Sequence, residues 1–186
     1  MPLFQLIIAH LLGDFVFQPN SLIKWKHESW KGTFVHSLVI TAFSAILVFP
    51  YLRSPKAFFI LFLLFLAHFV QDILKIVYQA RPKAKASMWP FFLDQCSHFF
   101  FIFIFASQFA KLGYIKLEEN FREIYFSTNL MAFAGLVLFF TFALDIVFFE
   151  TCRIKNKDLK YKRDYCAIVK RLIYFSVAYA LLTLGK

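Results

Sequence analysis

Three ionisable side chains interrupt an otherwise apolar run at positions 66–77. They are His68, Asp72 and Lys75, and their spacing of four and three residues would place all three on one face of a helix. A charged group at the centre of a membrane helix costs about 2.5–3.5 kcal/mol. Three such groups on one helix therefore need partners, and we expect them to face the interior of a helix bundle and not lipid.

The composition identifies a polytopic membrane protein. Hydrophobic residues make up 60% of the 186 positions, 28 residues are Phe, and the mean hydropathy is +0.63. The formal net charge of +10 is concentrated in short loops between apolar runs, as membrane orientation requires, so we expect no nucleic-acid partner. The three cysteines are widely scattered and predict neither a disulfide framework nor a thiolate metal site.

The apolar runs predict an all-α, polytopic transmembrane helix bundle of about six helices, since a span needs about 20 apolar residues. The predicted helices cover positions 2–18, 33–52, 56–79, 91–110, 127–150 and 168–184. We expect one integral membrane domain over 1–186. Within it, 1–110 would form a motif-bearing four-helix core, and 111–186 would add two helices and a basic cytoplasmic loop at 151–171.

The basic residues also predict the orientation. Most of them lie in the first, third and fifth loops, for example Lys24, Lys26 and Lys31 in the first. The positive-inside rule then places these loops in the cytoplasm and both termini outside. We expect a multi-pass protein of the bacterial inner (cytoplasmic) membrane.

In this orientation nearly all buried ionisable groups share one depth, in the cytoplasmic half of the bilayer. The set comprises His10, Asp14, His36, His68, Asp72, Lys75, Asp94, His98 and Asp145. Because these residues were not used to orient the chain, their convergence is partly independent support for the orientation. The outer half of the bundle is almost purely Phe, Leu, Ile, Ala and Val.

A short motif occurs twice. The pattern Ala-His-x-x-x-Asp surrounds both His10 and His68, and the spacing from His10 to His36 equals that from His68 to Asp94, 26 residues in both cases. The recurrence predicts a parallel repeat of helices 1–2 and 3–4. Such a repeat would place the two halves around a pseudo-two-fold axis with their polar groups facing each other.

The buried set has the chemistry of a metal site. Histidine and carboxylate ligands without thiolate suit zinc, manganese or iron, and magnesium less well. The buried aspartates exceed the one buried lysine by three charges, an excess that bound cations would neutralise. We expect one or two divalent ions, with zinc favoured. The predicted metal ligands are His10, Asp14, His68, Asp72, Asp94 and His98, although an aspartate can also act by orienting its histidine.

Other polar residues allow more than one role. The predicted catalytic residues are His36 and Lys75, and the predicted substrate-binding residues are Lys75, Arg81, Gln18 and Gln95. His36 is a further ligand, a base, or a contact between helices. Lys75 binds a substrate phosphate, neutralises Asp72, or extends to the cytoplasmic interface. Asp145 is expected to pair with a neighbouring helix.

Four motifs follow one another in this chain. They are His10-Leu-Leu-Gly13-Asp14-Phe15 with Gln18, His36 early in the second helix, His68-x-x-x-Asp72-x-x-Lys75, and Asp94-Gln95-x-x-His98. In this order, over positions 3–105, they resemble the bacterial membrane family catalogued as domain of unknown function 3307. The resemblance joins the motifs into one unit and implies no substrate. A more distant similarity to inner-membrane metal-dependent hydrolases implies hydrolysis, by analogy.

Three functions follow. The first is a metal-dependent hydrolase acting on an ester or phosphoester of a membrane lipid or lipid-linked, amphiphilic substrate. The second is a metal-ion or proton-coupled transporter or channel using the same cluster, and the third is a membrane subunit in which the cluster only locks helices together. The outer half of the bundle has no polar residues that would form a transport path, and no helix shows a Gly or Pro break at mid-membrane. Because both observations argue against a transporter, we favour the hydrolase. The oligomeric state stays open.

Overall fold

A computed structural model describes residues 1–81, 87–155 and 163–184, and its regular elements are all helical, which confirms the predicted all-α bundle. Lys83 and Lys85 of the third loop and residues 156–162 of the basic loop lie outside the described residues. The helices are α1 (Pro2–Leu11), α2 (Asn20–Glu28), α3 (Trp30–Leu47), α4 (Pro55–Gln79), α5 (Trp89–Phe109), α6 (Glu119–Tyr125), α7 (Thr128–Leu138), α8 (Leu144–Lys155) and α9 (Tyr165–Leu184). Two π-helical segments, Leu12–Val16 and Phe139–Ala143, follow α1 and α7, and a 3-10 turn spans Phe49–Tyr51.

Four helices among the described residues are long and apolar enough to cross a membrane. They are Trp30–Leu47, Pro55–Gln79, Trp89–Phe109 and Thr128–Ile154, which joins α7 to α8. The pair Pro2–Val16 and Asn20–Glu28 adds a fifth span only if this pair, bent by 90°, crosses as one unit. The sixth predicted helix is present as α9 but is not among these candidates.

Helices α1, α3, α4 and α5 form a closed ring. Helix α1 packs on α3 and α5, and α4 packs on the same two helices. The α7 helix lies outside the ring against α1, and α9 packs on α7 and on the π-helical segment Phe139–Ala143. The ring order is compatible with the predicted parallel repeat, which stays a prediction.

The first predicted helix is wrong in one respect. Positions 2–18 were expected to form one helix followed by a loop, but the chain leaves α1 through the π-helical segment, bends by 90° and continues as α2. Pro19 lies at the bend as the N-cap of α2, where its ring and missing N–H prevent a straight helix from continuing. Because the bend follows the end of the first predicted helix, the expectation that no helix has a Gly or Pro break at mid-membrane stays a prediction.

Two glycines permit close helix packing beside this bend. A Cβ built on Gly13 would lie 2.3 Å from Cγ1 of Ile40 on α3, and one on Gly32 would lie 2.5 Å from the carbonyl carbon of Trp25 on α2. The Oγ of Ser29 accepts a hydrogen bond from the backbone N–H of Lys31 at 3.2 Å, which caps α3. Helices α2 and α3 therefore meet backbone to backbone.

The end of the ring far from α2 has an apolar core. It contains Leu6, Val48, Leu64 and Phe109, while many Phe side chains on the outer faces are exposed, as lipid contact requires. The Tyr125 hydroxyl of α6 donates to the carbonyl of Leu47, and burial raises the pKa of Tyr125. This contact ties α6 to the end of α3.

Candidate metal centre

The ring encloses the predicted ligands and His36. The α1 helix and its π-helical continuation contribute His10 and Asp14, α3 contributes His36, α4 contributes His68 and Asp72, and α5 contributes Asp94 and His98. Each of these side chains is at most 11% exposed. Four helices that are distant in sequence therefore bring seven ionisable groups together inside the bundle.

These side chains form three groups that can each hold a metal ion. The groups are His10–His68–His98, Asp14–His36–His68 and Asp72–Asp94–His98, and within each group one ligand atom per residue lies within 4.8 Å of the others. His68 and His98 each belong to two groups. Because the shared histidines link the groups, the three groups form one connected cluster that offers ligands for more than one ion.

The shortest contacts run between helices. Nε2 of His36 lies 2.9 Å from Oδ1 of Asp14 and 3.3 Å from Nε2 of His68. The rings of His68 and His98 stack with their centroids 4.2 Å apart. Facing imidazole nitrogens share one proton as a hydrogen bond or present their lone pairs to a cation. The geometry suits both states.

The Asp72–Asp94–His98 group also has ligand atoms that lack hydrogen bonds. Oδ2 of Asp72, Oδ1 of Asp94 and Nε2 of His98 are buried and have no aligned hydrogen bond, although Oδ2 of Asp72 lies 2.6 Å from the ammonium of Lys26. His98 Nε2 and Asp94 Oδ1 lie 3.2 Å apart without the alignment of a hydrogen bond. Buried polar atoms are nearly always satisfied in folded proteins, and two carboxylates with an imidazole fit zinc, manganese or iron.

Lysines neutralise two of these carboxylates. The Nζ of Lys75 lies 2.6 Å from Oδ2 of Asp94, and the Nζ of Lys26 lies 2.6 Å from Oδ2 of Asp72. The partner of Lys75 is therefore Asp94, and not Asp72 as one of its predicted roles required. Lys26 was predicted only as a basic loop residue that orients the chain in the membrane, and nothing in the sequence signals its contact with Asp72.

These ion pairs change the predicted charge balance. Asp145 lies outside the cluster and pairs with Arg171 of α9, with 2.6 Å between the guanidinium and the carboxylate, as expected for a contact with a neighbouring helix. Asp72 and Asp94 each have a lysine partner. Asp14 has histidine partners in the cluster. The predicted excess of three negative charges is therefore too large, because it omitted Lys26 and Arg171.

Two glutamines support the cluster. Nε2 of Gln95 donates to Oδ2 of Asp94 at 3.0 Å, and Oε1 of Gln95 lies 3.3 Å from Nε2 of His10. The amide of Gln18 lies 3.3 Å from Nδ1 of His36. With its amide oriented to satisfy both ends, Gln18 accepts from Lys26 Nζ at 2.9 Å and donates to the Asp14 carbonyl at 3.1 Å.

A cavity of about 600 Å³ opens beside the cluster. Asp14, Asp72, Gln18, Lys75 and Gln95 line it, whereas Arg81 does not. Arg81 is exposed at the end of α4, with its guanidinium 5.7 Å from the Tyr78 ring centroid. The cationic lining instead includes side chains that the sequence analysis did not select, namely Lys26, Arg153 and Arg163.

Polar side chains also occur on the side of the histidines away from this cavity. Gln5 and Ser44 are at most 1% exposed, and neither atom of the Gln5 amide has a hydrogen-bond partner. A small void of about 20 Å³, lined by Ser44, Gln71 and the histidines of the His10–His68–His98 group, is large enough for one water. The half of the bundle away from the cavity therefore contains a few buried polar side chains besides its apolar ones.

The family model described as "Protein of unknown function (DUF3307)" matches residues 3–127. No curated protein and no solved structure matches the chain, so the distant similarity to membrane hydrolases finds no support there. The matched range contains every member of the three groups together with Lys26 and Lys75. Because the match covers more than half of the chain, the chain belongs to this family of proteins of unknown function, DUF3307.

Proposed function

We propose that the protein is an integral membrane hydrolase that uses one or two divalent ions, with zinc favoured over manganese or iron. The proposed substrate is an ester or phosphoester of a membrane lipid or a lipid-linked, amphiphilic molecule. One observation carries the proposal: a buried cluster of three His/Asp groups meets a cavity of about 600 Å³ whose walls carry lysines and arginines. Paired ions beside an anion-binding pocket are a recurrent solution for phosphoester hydrolysis.

We propose a different role for each polar side chain of the site. The chemistry supplied by bound ions would be Lewis-acid activation of water and of the ester. His36, at 2.9 Å from Asp14, is positioned to hold a proton at Nε2. Lys75 is at the cavity wall and would hold the anionic group of the substrate. Gln18 and Gln95 fix the orientation of the His36 ring and of the Asp94 carboxylate.

The walls of the cavity favour an amphiphilic substrate. Apolar side chains, among them Ile76, Phe91 and Ile146, line it together with Arg153 and Arg163. An acyl chain would contact the first group, while a phosphate would pair with the second. By the positive-inside rule this end of the bundle faces the cytoplasm, and we propose that the substrate enters from the inner leaflet of the bacterial inner membrane.

Elemental analysis of the detergent-purified protein tests the proposal first. We expect stoichiometric zinc, manganese or iron in the wild type. His68 belongs to two of the groups and Asp94 to one, so His68→Ala and Asp94→Asn should each lower metal affinity by about 10–100-fold or more. The metal-loaded protein should then release phosphate from phosphatidic acid in mixed micelles.

Asp145→Asn is the matched control. It removes the same charge from a partly buried membrane aspartate that pairs with Arg171 and is not part of the cluster, and it should retain the metal. Circular dichroism would show that the variants remain helical. A folded wild type that contains no metal and cannot be reloaded would contradict the hydrolase proposal.

A transporter for metal ions or protons is the second candidate. The buried Gln5 and Ser44 beyond the histidines favour it, because they extend the polar interior toward the far end of the ring. Manganese uptake into proteoliposomes that carry the protein would support this candidate. Retention of the metal against a chelator, with no uptake, would favour the hydrolase.

A further inference from the structure

Two lysine ammonium groups contact carboxylates that a metal ion would also bind. Lys26 and Lys75 each approach an aspartate of the Asp72–Asp94–His98 group to 2.6 Å. We call these two residues the lysine pair. They belong to different helices, α2 and α4, and both line the cavity. One metal-binding group is therefore flanked by two cations that also face the proposed substrate space.

A divalent ion in this group would compete with the lysine pair. Each lysine contacts Oδ2 of its aspartate, whereas Nε2 of His98 lies 3.2 Å from Oδ1 of Asp94 and 3.8 Å from Oδ1 of Asp72. An ion beside His98 would therefore bind the other oxygens of the same two carboxylates, and its charge would repel both ammonium groups strongly at such separations inside a protein. Once the ion satisfies Asp72 and Asp94, the attraction that holds both ammonium groups is largely cancelled. The positive charges must then find other partners or water.

Both lysine side chains can move from the aspartates into the cavity. The side chain of Lys75 is 25% exposed and that of Lys26 is 11% exposed, whereas Asp72 and Asp94 are at most 2% exposed. Flexible four-carbon stems let the ammonium groups rotate into the cavity while the carboxylates stay in place. In the cavity they would meet an anion from two directions.

We propose that Lys26 and Lys75 form a binding site for a tetrahedral dianion, such as the phosphate of a phosphoester, that becomes available when the metal binds. This inference rests on the proposed function and deepens it. Metal and anion then bind cooperatively, and linkage requires that each raises the affinity for the other by the same factor. Without metal, the lysine pair stays on Asp72 and Asp94, and anions bind weakly.

The wild type alone provides the first measurement. Calorimetric titration with Mn²⁺, with and without sulfate as a tetrahedral dianion that is not hydrolysed, should show at least about tenfold tighter metal binding in sulfate. The reciprocal titration with sulfate should show the same factor with and without Mn²⁺. Stoichiometric Mn²⁺ binding that sulfate does not change would overturn this inference and leave the proposed function standing.

Lys26→Met and its neighbour Lys24→Met form a matched pair. Both remove one positive charge from α2 at the cavity, but the side chain of Lys24 is 76% exposed and pairs with Glu28 at 3.7 Å, whereas that of Lys26 pairs with Asp72. Lys26→Met should bind Mn²⁺ more tightly than the wild type without sulfate, and should lose most of the sulfate effect. Lys24→Met should resemble the wild type in both titrations.

The titrations distinguish failure of the proposed function from failure of this inference. Absence of Mn²⁺ and Zn²⁺ binding in all three proteins would contradict the proposed function itself. Equal sulfate effects in folded Lys26→Met and Lys24→Met would show that sulfate acts on the metal without the lysine pair, which contradicts only the inference. If Lys26→Met does not fold, the wild-type titrations still test whether Mn²⁺ and sulfate bind cooperatively.

Discussion

Gly32 determines how closely α2, which carries Lys26, can approach α3. A Cβ on Gly32 would lie 2.6 Å from the backbone nitrogen of Lys26 and 2.5 Å from the carbonyl carbon of Trp25. Since both are backbone atoms, no side-chain rotation relieves the overlap. Nothing in the local sequence around Gly32 predicts this contact, because the contact depends on how α2 packs against α3.

Gly32→Ala should therefore push α2 away from α3. We expect a loss of about 1–3 kcal/mol in the free energy of unfolding, as for other overpacked sites, and a weaker Lys26–Asp72 pair. Thermal unfolding in detergent measures the first effect. Gly113→Ala is the control, because a Cβ there meets no atom within 4 Å; equal stability of the two variants would contradict the argument.

The break after α1 illustrates how one helix end is stabilised by a distant segment. The guanidinium of Arg163 donates to the carbonyl of Phe15 at 2.7 Å and to that of Val16 at 3.0 Å. Carbonyls at a helix end have no partner in the helix, and in a membrane each unsatisfied group is costly. Arg163 therefore holds the bend that brings α2 under the ring.

Arg163→Gln should loosen this bend. A hydrogen bond to a charged group contributes about 1.5–3 kcal/mol, so we expect backbone amides at 17–23 to exchange about 10–100-fold faster with deuterium. Hydrogen exchange with mass spectrometry would measure this. Arg122→Gln is the control, because Arg122 lies on α6 and pairs with the exposed Glu119 at 3.5 Å. Unchanged exchange in Arg163→Gln would refute the role of Arg163.

The orientation of the bundle depends on the difference between its two ends. The cavity end carries Lys24, Lys26, Arg153 and Arg163. At the other end, cations such as Arg122 are offset by glutamates such as Glu119 in the segment that includes α6. The positive-inside rule therefore still predicts that the cavity faces the cytoplasm, and it places both termini outside only if α9 also crosses the membrane.

Cysteine labelling in intact cells tests this orientation. In a chain with Cys96, Cys152 and Cys166 replaced by Ser, Gly113→Cys should react with a membrane-impermeant maleimide. Ser21→Cys on α2 should react only after the membrane is disrupted. Both positions are exposed, so a difference reports topology, and the opposite labelling pattern would invert the orientation.

Local rules explain what could be predicted without coordinates. Helical periodicity places His10 with Asp14 and His68 with Asp72 on single faces, and the cost of charge in lipid directs these faces inward. The described structure agrees with both inferences: the four helices do bring these residues together. Hydropathy likewise predicted α3, α4, α5 and the span that joins α7 to α8, because span length depends only on the bilayer and the helical rise.

Contacts between distant segments decided the rest. Lys26 meets Asp72 across 46 residues of sequence, and Arg163 meets Phe15 across 148. Such pairs depend on how each helix is rotated and how closely backbones approach, which Gly13, Gly32 and Pro19 control through packing. Nothing local to Lys26 distinguishes it from Lys24. Periodicity and hydropathy thus suffice to predict the acidic and histidine-rich interior, whereas the cations that balance it emerge only when the chain is folded, because their partners lie on other helices.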